Sequence, residues 1–307
     1  MSTFPDMVYA MGGVPCVGDG IPISTGKYWF VHSGTGSDLA GGNMGKRPTQ
    51  PFATINYAKT QCTANKNDVI VVMPGHAETV SAASGINLSV AGVTVVGLGN
   101  GANRPTISLS AATATIAVSA ANCTIDNIIV TSTAEDNAVA IVVTAANATI
   151  SRCSFTEPTA GSNILTCIST TAAGLTVDGC DRYSVDVATL AMISVLASVA
   201  NISITNNVDI HTYGADVGQF IILGAFNVVN FKCIGNKLHI VGDNSGQSVG
   251  NLITGSSTAS DGIVANNYIG GVDVGGLVDT ATLEFSHFEN YFAGIAAKSG
   301  LILPAIT

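Results

Sequence analysis

A short phrase recurs along the middle of the chain and constrains its fold more than any other feature. The phrase reads Ala, then Gly or Asn, any residue, Thr or Ser, and Ile or Val. It begins at five alanines: Ala91, Ala121, Ala146, Ala173 and Ala200. The last positions Ile150, Val177 and Ile204, with Phe231 after them, are evenly spaced, although other steps differ. Their period of about 27 residues lies in the range that predicts a solenoid.

The second position of the phrase predicts a turn. It holds Gly or Asn, with Asp261 taken as a later equivalent: Gly92, Asn122, Asn147, Gly174 and Asn201. These residue types tolerate the left-handed backbone conformation. The residues that follow, such as those from Thr124 to Val130, are β-branched and alternate in character, which indicates strands. Stacking such circuits, or rungs, about 4.8 Å apart would bury an Ile/Val column.

The phrase also predicts which side chains stack on one another. About eight rungs follow from the aligned core residues Val95, Ile125, Ile150, Val177, Ile204, Phe231, Val264 and Phe285. Two or three positions further on, Asn and Cys recur: Asn127, Cys153, Cys180, Asn206, Asn207, Asn266 and Asn267. In a parallel stack these amides can pair as a ladder, and the two thiols can pack as small apolar groups.

The residues before the repeats have a recognisable order. A strand at Tyr28–Val31 precedes a Gly-x-Asp loop ending at Asp38, a short amphipathic helix from Pro51 to about Ala64, and a buried strand within Asp68–Gly75. This order resembles the N-terminal part of right-handed parallel β-helix proteins of the pectate-lyase-like superfamily. The resemblance implies an all-β, single-stranded, right-handed parallel β-helix with a short N-terminal capping helix.

Four segments follow from this reading. Residues 1–26 form an extended arm, 27–68 the initial strand, loop and capping helix, 69–286 the β-helix, and 287–307 a C-terminal cap or tail. The arm is apolar but interrupted by Gly and Pro. It either lies along its own solenoid or docks on a neighbouring subunit.

Three further runs point to a function. They are Pro74–Thr79, Gly92–Gly99 and Arg104–Ile107, and they are similar to tailed-phage virion proteins with this fold. Only 10% of the residues are charged, so part of the surface is expected to be buried between subunits. We therefore expect a non-enzymatic structural virion protein, made in the host cytoplasm. It would form a homotrimer and bind other virion proteins such as the capsid protein.

Composition argues against several other classes. A net charge of −9 disfavours a nucleic-acid partner. The sequence has no run of about 18 apolar residues, which would indicate a membrane span. It also has no basic leader, which would indicate a signal peptide. Seven cysteines without a short-spaced pair fit a reducing cytoplasm. The five histidines lack zinc-ligand spacing, so neither a metal nor another cofactor is expected.

An alternative is a tailspike-like polysaccharide depolymerase or glycan-binding β-helix. The resemblance implies clustered carboxylates in such enzymes, and the candidates here are Asp126, Asp178, Asp181, Arg182 and Asp186. Asp126 and Asp178 would lie two rungs apart, near the carboxylate separation of inverting hydrolases. The sequence runs of the polygalacturonase branch are missing. The simpler interpretation is that these five charged residues are solvated turn residues or form an inter-subunit salt bridge. Likewise, we interpret Asp209–His211 together with Asp216 as a cation site or, more simply, as a polar turn.

Overall fold

In the computed structural model the chain winds into a right-handed parallel β-helix, which confirms the predicted fold class. The structure describes residues 8–11, 14–17, 21–159, 161–185, 190–212, 219–241, 250–255, 259–271, 274–278, 284–293 and 300–302. Three long sheets form the walls of the helix. Each strand pairs with its equivalent one rung along, and the sheets have ten, ten and eight strands.

The first sheet has ten parallel strands. They are β3 (Tyr28–Val31), β4 (Val69–Val72), β7 (Thr94–Gly97), β10 (Thr124–Asp126), β13 (Thr149–Ser151), β16 (Thr176–Asp178), β20 (Ser203–Thr205), β24 (Phe231–Ile234), β27 (Asp261–Ala265) and β30 (Glu284–Phe288). Each of these strands is only three to five residues long.

The second sheet follows the first around a tight corner. It contains β5 (Ala77–Val80), β8 (Thr106–Leu109), β11 (Ile129–Ser132), β14 (Ser154–Thr156), β17 (Asp181–Ser184), β21 (Val208–His211), β25 (Lys237–Ile240), β28 (Tyr268–Gly271), β31 (Asn290–Ala293) and the antiparallel β32 (Gly300–Ile302). The last two strands lie in the segment predicted as a C-terminal cap or tail.

The third sheet closes each circuit. It contains β6 (Ile86–Leu88), β9 (Ile116–Val118), β12 (Ile141–Val143), β15 (Thr166–Thr170), β18 (Ala191–Val195), β22 (Gln219–Gly224), β26 (Gly250–Gly255) and β29 (Val274–Val278). Two small sheets complete the fold: a hairpin of β1 (Val8–Met11) and β2 (Val14–Val17), and the pair β19 (Val199–Ala200) and β23 (Val228–Val229).

A short helix, α1 (Ile55–Thr60), packs on the first rungs. Its N-cap is Thr54, whose side chain accepts a hydrogen bond from the backbone N–H of Tyr57. Ile55 and Ala58 are buried in the main hydrophobic core, so the helix covers the open end as predicted. It ends earlier than the predicted Ala64. A single-turn 3₁₀ helix, Gly101–Asn103, follows β7.

The predicted core column is correct for six of its eight residues. Val95, Ile125, Ile150, Val177 and Ile204 pair in register, but Ile204 pairs with Cys233, followed by Val264 and His287. Phe231 and Phe285 were therefore placed two positions too early. Both are nevertheless buried and in contact with each other, because a shift of two positions along a strand preserves the face.

The turn positions have the predicted backbone conformation. Asn122, Asn147 and Asn201 have φ near +60°, and Gly92 and Gly174 have φ of 74° and 77°. Asp261 was assigned wrongly: it begins strand β27, and the left-handed residue at the equivalent corner one rung after Asn201 is Asn230, with φ of 55°. Asp261 instead accepts the backbone N–H of Asn230 from one rung away.

The corner between the first two sheets contains a buried amide ladder. Asn207, Asn236, Asn267 and Asn290 stack in consecutive rungs, with Nδ2 to Oδ1 distances of 3.0, 3.0 and 2.9 Å. Each Oδ1 that receives such a bond also accepts the backbone N–H of the preceding asparagine. Of the five asparagines predicted to pair, Asn207 and Asn267 are in the ladder, and the structure adds Asn236 and Asn290. The prediction was wrong for Asn127, Asn206 and Asn266, which instead adopt the left-handed turn conformation one residue before the ladder position.

The end of the arm covers an apolar outer surface. Ile21 is buried against Phe30, Val69, Val71 and Val96, all of which point outward from the first three strands of the first sheet. Outward apolar side chains are thus shielded by the chain's own arm at this end of the stack. This part of the arm lies along its own solenoid, one of the two predicted arrangements.

Candidate functional site

A groove on the outer face of the first sheet collects two of the predicted carboxylates. We call it the acidic groove; its volume is about 570 Å³. The residues that line it come from the arm and from four neighbouring strands and their corners: Ile21, Pro22, Thr94, Thr124, Asp126, Ser151, Arg152 and Asp178. Asp126, Ser151 and Asp178 lie in register on three consecutive strands, so the predicted two-rung separation of the carboxylates is correct.

Asp126 is held by two donors from the next rung. Ser151 Oγ and Arg152 Nε each donate to Asp126 Oδ1 at 2.8 Å, and Arg152 Nη2 donates to Oδ2. The hydrogen bond that Arg152 donates to Asp126 raises the pKa of Arg152. Both oxygens of Asp126 are therefore engaged in a bidentate ion pair with Arg152.

Asp178 is also bonded to the next rung. Thr205 Oγ1 and Asn206 Nδ2 donate to Asp178 Oδ1 at 2.6 and 2.9 Å. Its other oxygen, Oδ2, accepts no hydrogen bond from the residues that the structure describes. Two rungs correspond to about 9.6 Å between the backbones of Asp126 and Asp178. This oxygen is the one acceptor of the pair that is open to a ligand.

The other two carboxylate candidates do not join this groove. Asp181 lies past the corner, at the start of β17 on the second sheet, where its Oδ2 accepts a hydrogen bond from Ser154 Oγ. Asp186 lies outside the described residues. The predicted cluster of Asp178, Asp181 and Arg182 is therefore split between two sheets.

Arg182 was predicted as a solvated or interfacial residue, and this is wrong. Its side chain points into the core and is 1% exposed. Nε and Nη2 donate to Asp209 Oδ1 and Oδ2 at 2.7 and 2.6 Å, and Nη2 lies 3.0 Å from His211 Nε2. Strand alternation explains the placement, since Asp181 and Tyr183 face outward on either side of it.

The same contacts overturn both interpretations of Asp209 and His211. These residues lie in strand β21 and are buried beside Arg182, so they form neither a polar turn nor an open cation site. Burial would raise the pKa of Asp209, but attraction to Arg182 and His211 outweighs burial and lowers it. Asp216 lies outside the described residues. Within the described ranges no cluster of three His, Cys, Asp or Glu side chains could hold a metal ion.

Sequence reasoning missed Arg152 and the arm as parts of the groove. Arg152 occupies a corner with φ of 51°, where Asn or Gly is more usual. It follows Asp126 by almost one full repeat, and this spacing was the available signal. The contribution of Ile21 and Pro22 had no such signal, because non-repetitive segments have no register.

Comparison with known proteins supports the fold. No protein-family model and no curated protein matches the chain. Among solved structures, the pectin methylesterase from Aspergillus niger in deglycosylated form is similar with a TM-score of 0.50 and 12% identity, over 92% of this chain and 93% of that chain. At this identity the likeness shows the parallel β-helix fold alone.

Weaker similarity extends to two further carbohydrate-active proteins. A GH136 lacto-N-biosidase from Eubacterium ramulus has a TM-score of 0.44 and 10% identity, over 88% of this chain and 68% of that chain. A rhamnogalacturonan lyase has a TM-score of 0.42 and 12% identity, over 86% and 84%. Separately, none of the described helical residues forms a segment long and apolar enough to cross a membrane.

Proposed function

We propose that this chain is a non-enzymatic structural protein of a phage virion. In this proposal it forms a homotrimeric β-helix that decorates the capsid or attaches to it. The phage assignment depends on the sequence resemblance of Pro74–Thr79, Gly92–Gly99 and Arg104–Ile107 to virion proteins. The structural role is supported by the hydrogen bonds and ion pairs that the polar side chains form between rungs.

The observation that carries this role is the engagement of the candidate catalytic groups. Asp126 accepts hydrogen bonds from Arg152 and Ser151, and Arg182 is buried in the core in an ion pair with Asp209. General acid-base catalysis needs a positioned group that can gain or release a proton in reach of substrate. Polar side chains that bond one rung to the next instead stiffen the stack, which suits a rigid assembly component.

Two measurements test the proposal. Native mass spectrometry of the purified chain should give a trimer, and proteomics of purified particles should find the protein at a fixed ratio to the capsid protein. A monomeric chain that is absent from every particle would contradict the proposal. A trimer that is found in no particle would support the proposed homotrimer but contradict the proposed location in the virion.

A second candidate function is glycan binding or cleavage in the acidic groove. It is favoured by the open Asp178 Oδ2, by the 570 Å³ of space beside it, and by the polysaccharide-related names of the structural neighbours. Carboxylates about 9.6 Å apart lie near the upper limit for an inverting hydrolase.

Incubation with capsular and pectic polysaccharides tests this alternative. New reducing ends or unsaturated products that disappear in Asp178→Asn, but persist in the control Asp181→Asn, would favour an enzyme. Both aspartates accept a serine or threonine hydroxyl from a neighbouring rung, but only Asp178 lines the groove. Saturable binding without products would favour a glycan-binding role.

A further inference from the structure

Four large apolar side chains are exposed at the opposite end of the stack from Ile21. We call the surface that they form the C-terminal patch; it consists of Ile263 and Phe288 on the first sheet and Tyr268 and Tyr291 on the second. These side chains are 40%, 55%, 38% and 53% exposed. Tyr268 and Tyr291 pair in register on adjacent rungs. Phe288 and Tyr291 lie on either side of the two corner residues Glu289 and Asn290. Large apolar side chains that cluster in this way mark an interaction surface.

The flat shape of the patch is fixed by a glycine. A Cβ atom on Gly270 would lie 2.5 Å from Tyr268 Oη and 2.7 Å from two of its ring carbons. The Tyr268 ring therefore lies over the backbone of Gly270, with its other face toward solvent. A flat aromatic surface of this kind packs well against an extended apolar segment.

The opposite end of the same sheet indicates what covers such surfaces. There, outward-facing Phe30, Val71 and Val96 are shielded by Ile21 of the arm. Phe288 occupies the same outward column as these residues, seven strands beyond Val96. The two ends thus present similar chemistry, but only one is covered by this part of the arm.

The chain before Ile21 supplies an apolar hairpin. Strands β1 and β2 read Val-Tyr-Ala-Met and Val-Pro-Cys-Val, without a charged residue. An isolated two-stranded hairpin is at best marginally stable in water. It therefore needs an apolar surface to pack against.

The reach of the arm argues that the surface belongs to another copy. Ile21 packs on β3, β4 and β7, and β27 lies seven strands from β4, about 34 Å along the stack. The segment from Val14 to Ile21 spans at most about 25 Å when fully extended. Strand β2 therefore falls short of the C-terminal patch of its own chain.

Charges near the patch are compatible with this partner. Lys232 and Lys237 are exposed and pair in register with Ile263 and Tyr268, while residues 1–20 contain Asp6 and Asp19 and no Lys or Arg. Glu289 at the nearby corner offsets part of this attraction. The apolar contact is therefore the main contribution, and the lysines select the partner's orientation.

We propose that the β1–β2 hairpin of one copy docks on the C-terminal patch of a second copy. The contact joins unlike surfaces at opposite ends of the stack, so neighbouring copies run head to tail rather than side by side, and three such contacts related by a rotation close into a ring. This inference rests on the proposed homotrimer and names the contact that forms it.

Two full-length variants test the contact. Val8→Asp/Val17→Asp places two carboxylates at one cross-strand pair of the hairpin, and Phe288→Ser/Tyr291→Ser removes two aromatic rings from the patch. Each variant alone should lose the oligomer in native mass spectrometry. Mixing the two should restore a one-to-one complex, because the patch variant supplies an intact hairpin and the hairpin variant supplies an intact patch.

Tyr183→Ser is the matched control, because Tyr183 is 46% exposed on the second sheet but lies outside the patch. It should keep the native oligomer, and circular dichroism should give the same spectrum for all variants. A hairpin variant that stays trimeric, or a mixture that forms no complex, would overturn the docking inference while leaving the homotrimer intact. A native chain that is monomeric would overturn both.

Discussion

The corner between the first and second sheets is built differently in the two halves of the stack. In the early rungs its inward column holds Ile128, Cys153 and Cys180, and in the later rungs it holds the amide ladder. In both halves the corner side chains are directed at the same column of backbone carbonyls. The thiols of Cys153 and Cys180 point to the carbonyls of Ile125 and Ile150 at 3.8 and 3.6 Å.

In the amide half the donors are stronger and the rungs are linked in both directions. Asn Nδ2 groups donate to the carbonyls of Val177, Ile204, Cys233 and Val264 at 2.8 to 3.0 Å. Their oxygens also accept backbone N–H groups, which a thiol does only weakly. A corner can therefore be filled by packing or by hydrogen bonding, and the second choice couples neighbouring rungs more tightly.

The buried ion pair lies at the junction of the two halves. Arg182 belongs to the rung of Cys180, and Asp209 belongs to the rung of Asn207, where the ladder begins. Asp209→Ala should lower the free energy of unfolding by about 3 to 5 kcal/mol, because it leaves a buried guanidinium without its carboxylate. Urea denaturation would measure this loss. Asp181→Ala, on the outer surface of the neighbouring strand, should cost much less.

Removal of one amide should reveal the stronger coupling of the later half. Asn236→Ala removes the hydrogen bonds that its amide makes to the Ile204 carbonyl and to the Asn207 N–H in a fully buried corner. We expect a loss of roughly 2 to 4 kcal/mol, since each unsatisfied buried group costs about 1 to 3 kcal/mol. Hydrogen exchange should rise in the rungs on both sides of the substitution. Exchange confined to one rung would contradict the coupling.

Acid should weaken the junction selectively. The folded pKa of Asp209 is lowered, so its stabilising contribution is complete above the ordinary aspartate pKa near 4 and is lost as pH falls through the folded value. Below about pH 4 the loss from this one group is at most about 1.4 kcal/mol per pH unit. Urea titrations at pH 7, 4 and 3 would measure it. Asp209→Asn should flatten the slope.

The thiol half should tolerate the corresponding truncation. Cys180→Ala removes one sulfur atom from the core, together with its long contacts to the Ile150 and Asp178 carbonyls. About 1 kcal/mol is expected, as for deletion of a small buried group. The loss should be smaller than that of Asn236→Ala in the same urea assay. Equal losses would mean that packing, rather than the amide bonds, stabilises both corners.

The outer ion pair should matter least. Arg152 is 60% exposed in its side chain, although it binds Asp126 with two nitrogen atoms. Arg152→Gln is expected to change the free energy of unfolding by about 1 kcal/mol or less, because solvent and salt screen exposed pairs. The difference should shrink further at high NaCl concentration. A loss as large as that of Asp209→Ala would refute the distinction between outer and inner pairs.

Local patterns in the sequence predicted much of the architecture. The strand Tyr28–Val31 and the left-handed turns at Gly92 and Asn147 follow from residue types and spacing, as observed. Register failed where the repeat changed length, because the step from Ile204 to its partner Cys233 is two positions longer than the steps just before it. An alternating pattern with period two cannot detect a shift of two positions.

The candidate site was predicted less completely than the fold. Asp126 and Asp178 were correctly placed two rungs apart, but Arg182 was assigned to the surface on its charge alone. Its partner Asp209 lies one full repeat later in the sequence, so the spacing contained the signal for a stacked pair. Which face a charged side chain takes depends on the free energy of burying both partners together, and single residues do not reveal it.

By itself the sequence determined the right-handed parallel β-helix, the positions of its turns and the residues that stack in most of its core, because these depend on local conformational preference and on period. Only the tertiary structure decided that Arg182 is buried, that Arg152 binds both oxygens of Asp126, and that the arm shields apolar side chains at one end of the sheet while Phe288 at the other end is exposed. Those outcomes depend on contacts between residues of different rungs and of non-repetitive segments, where the free energy belongs to the pair and not to either residue.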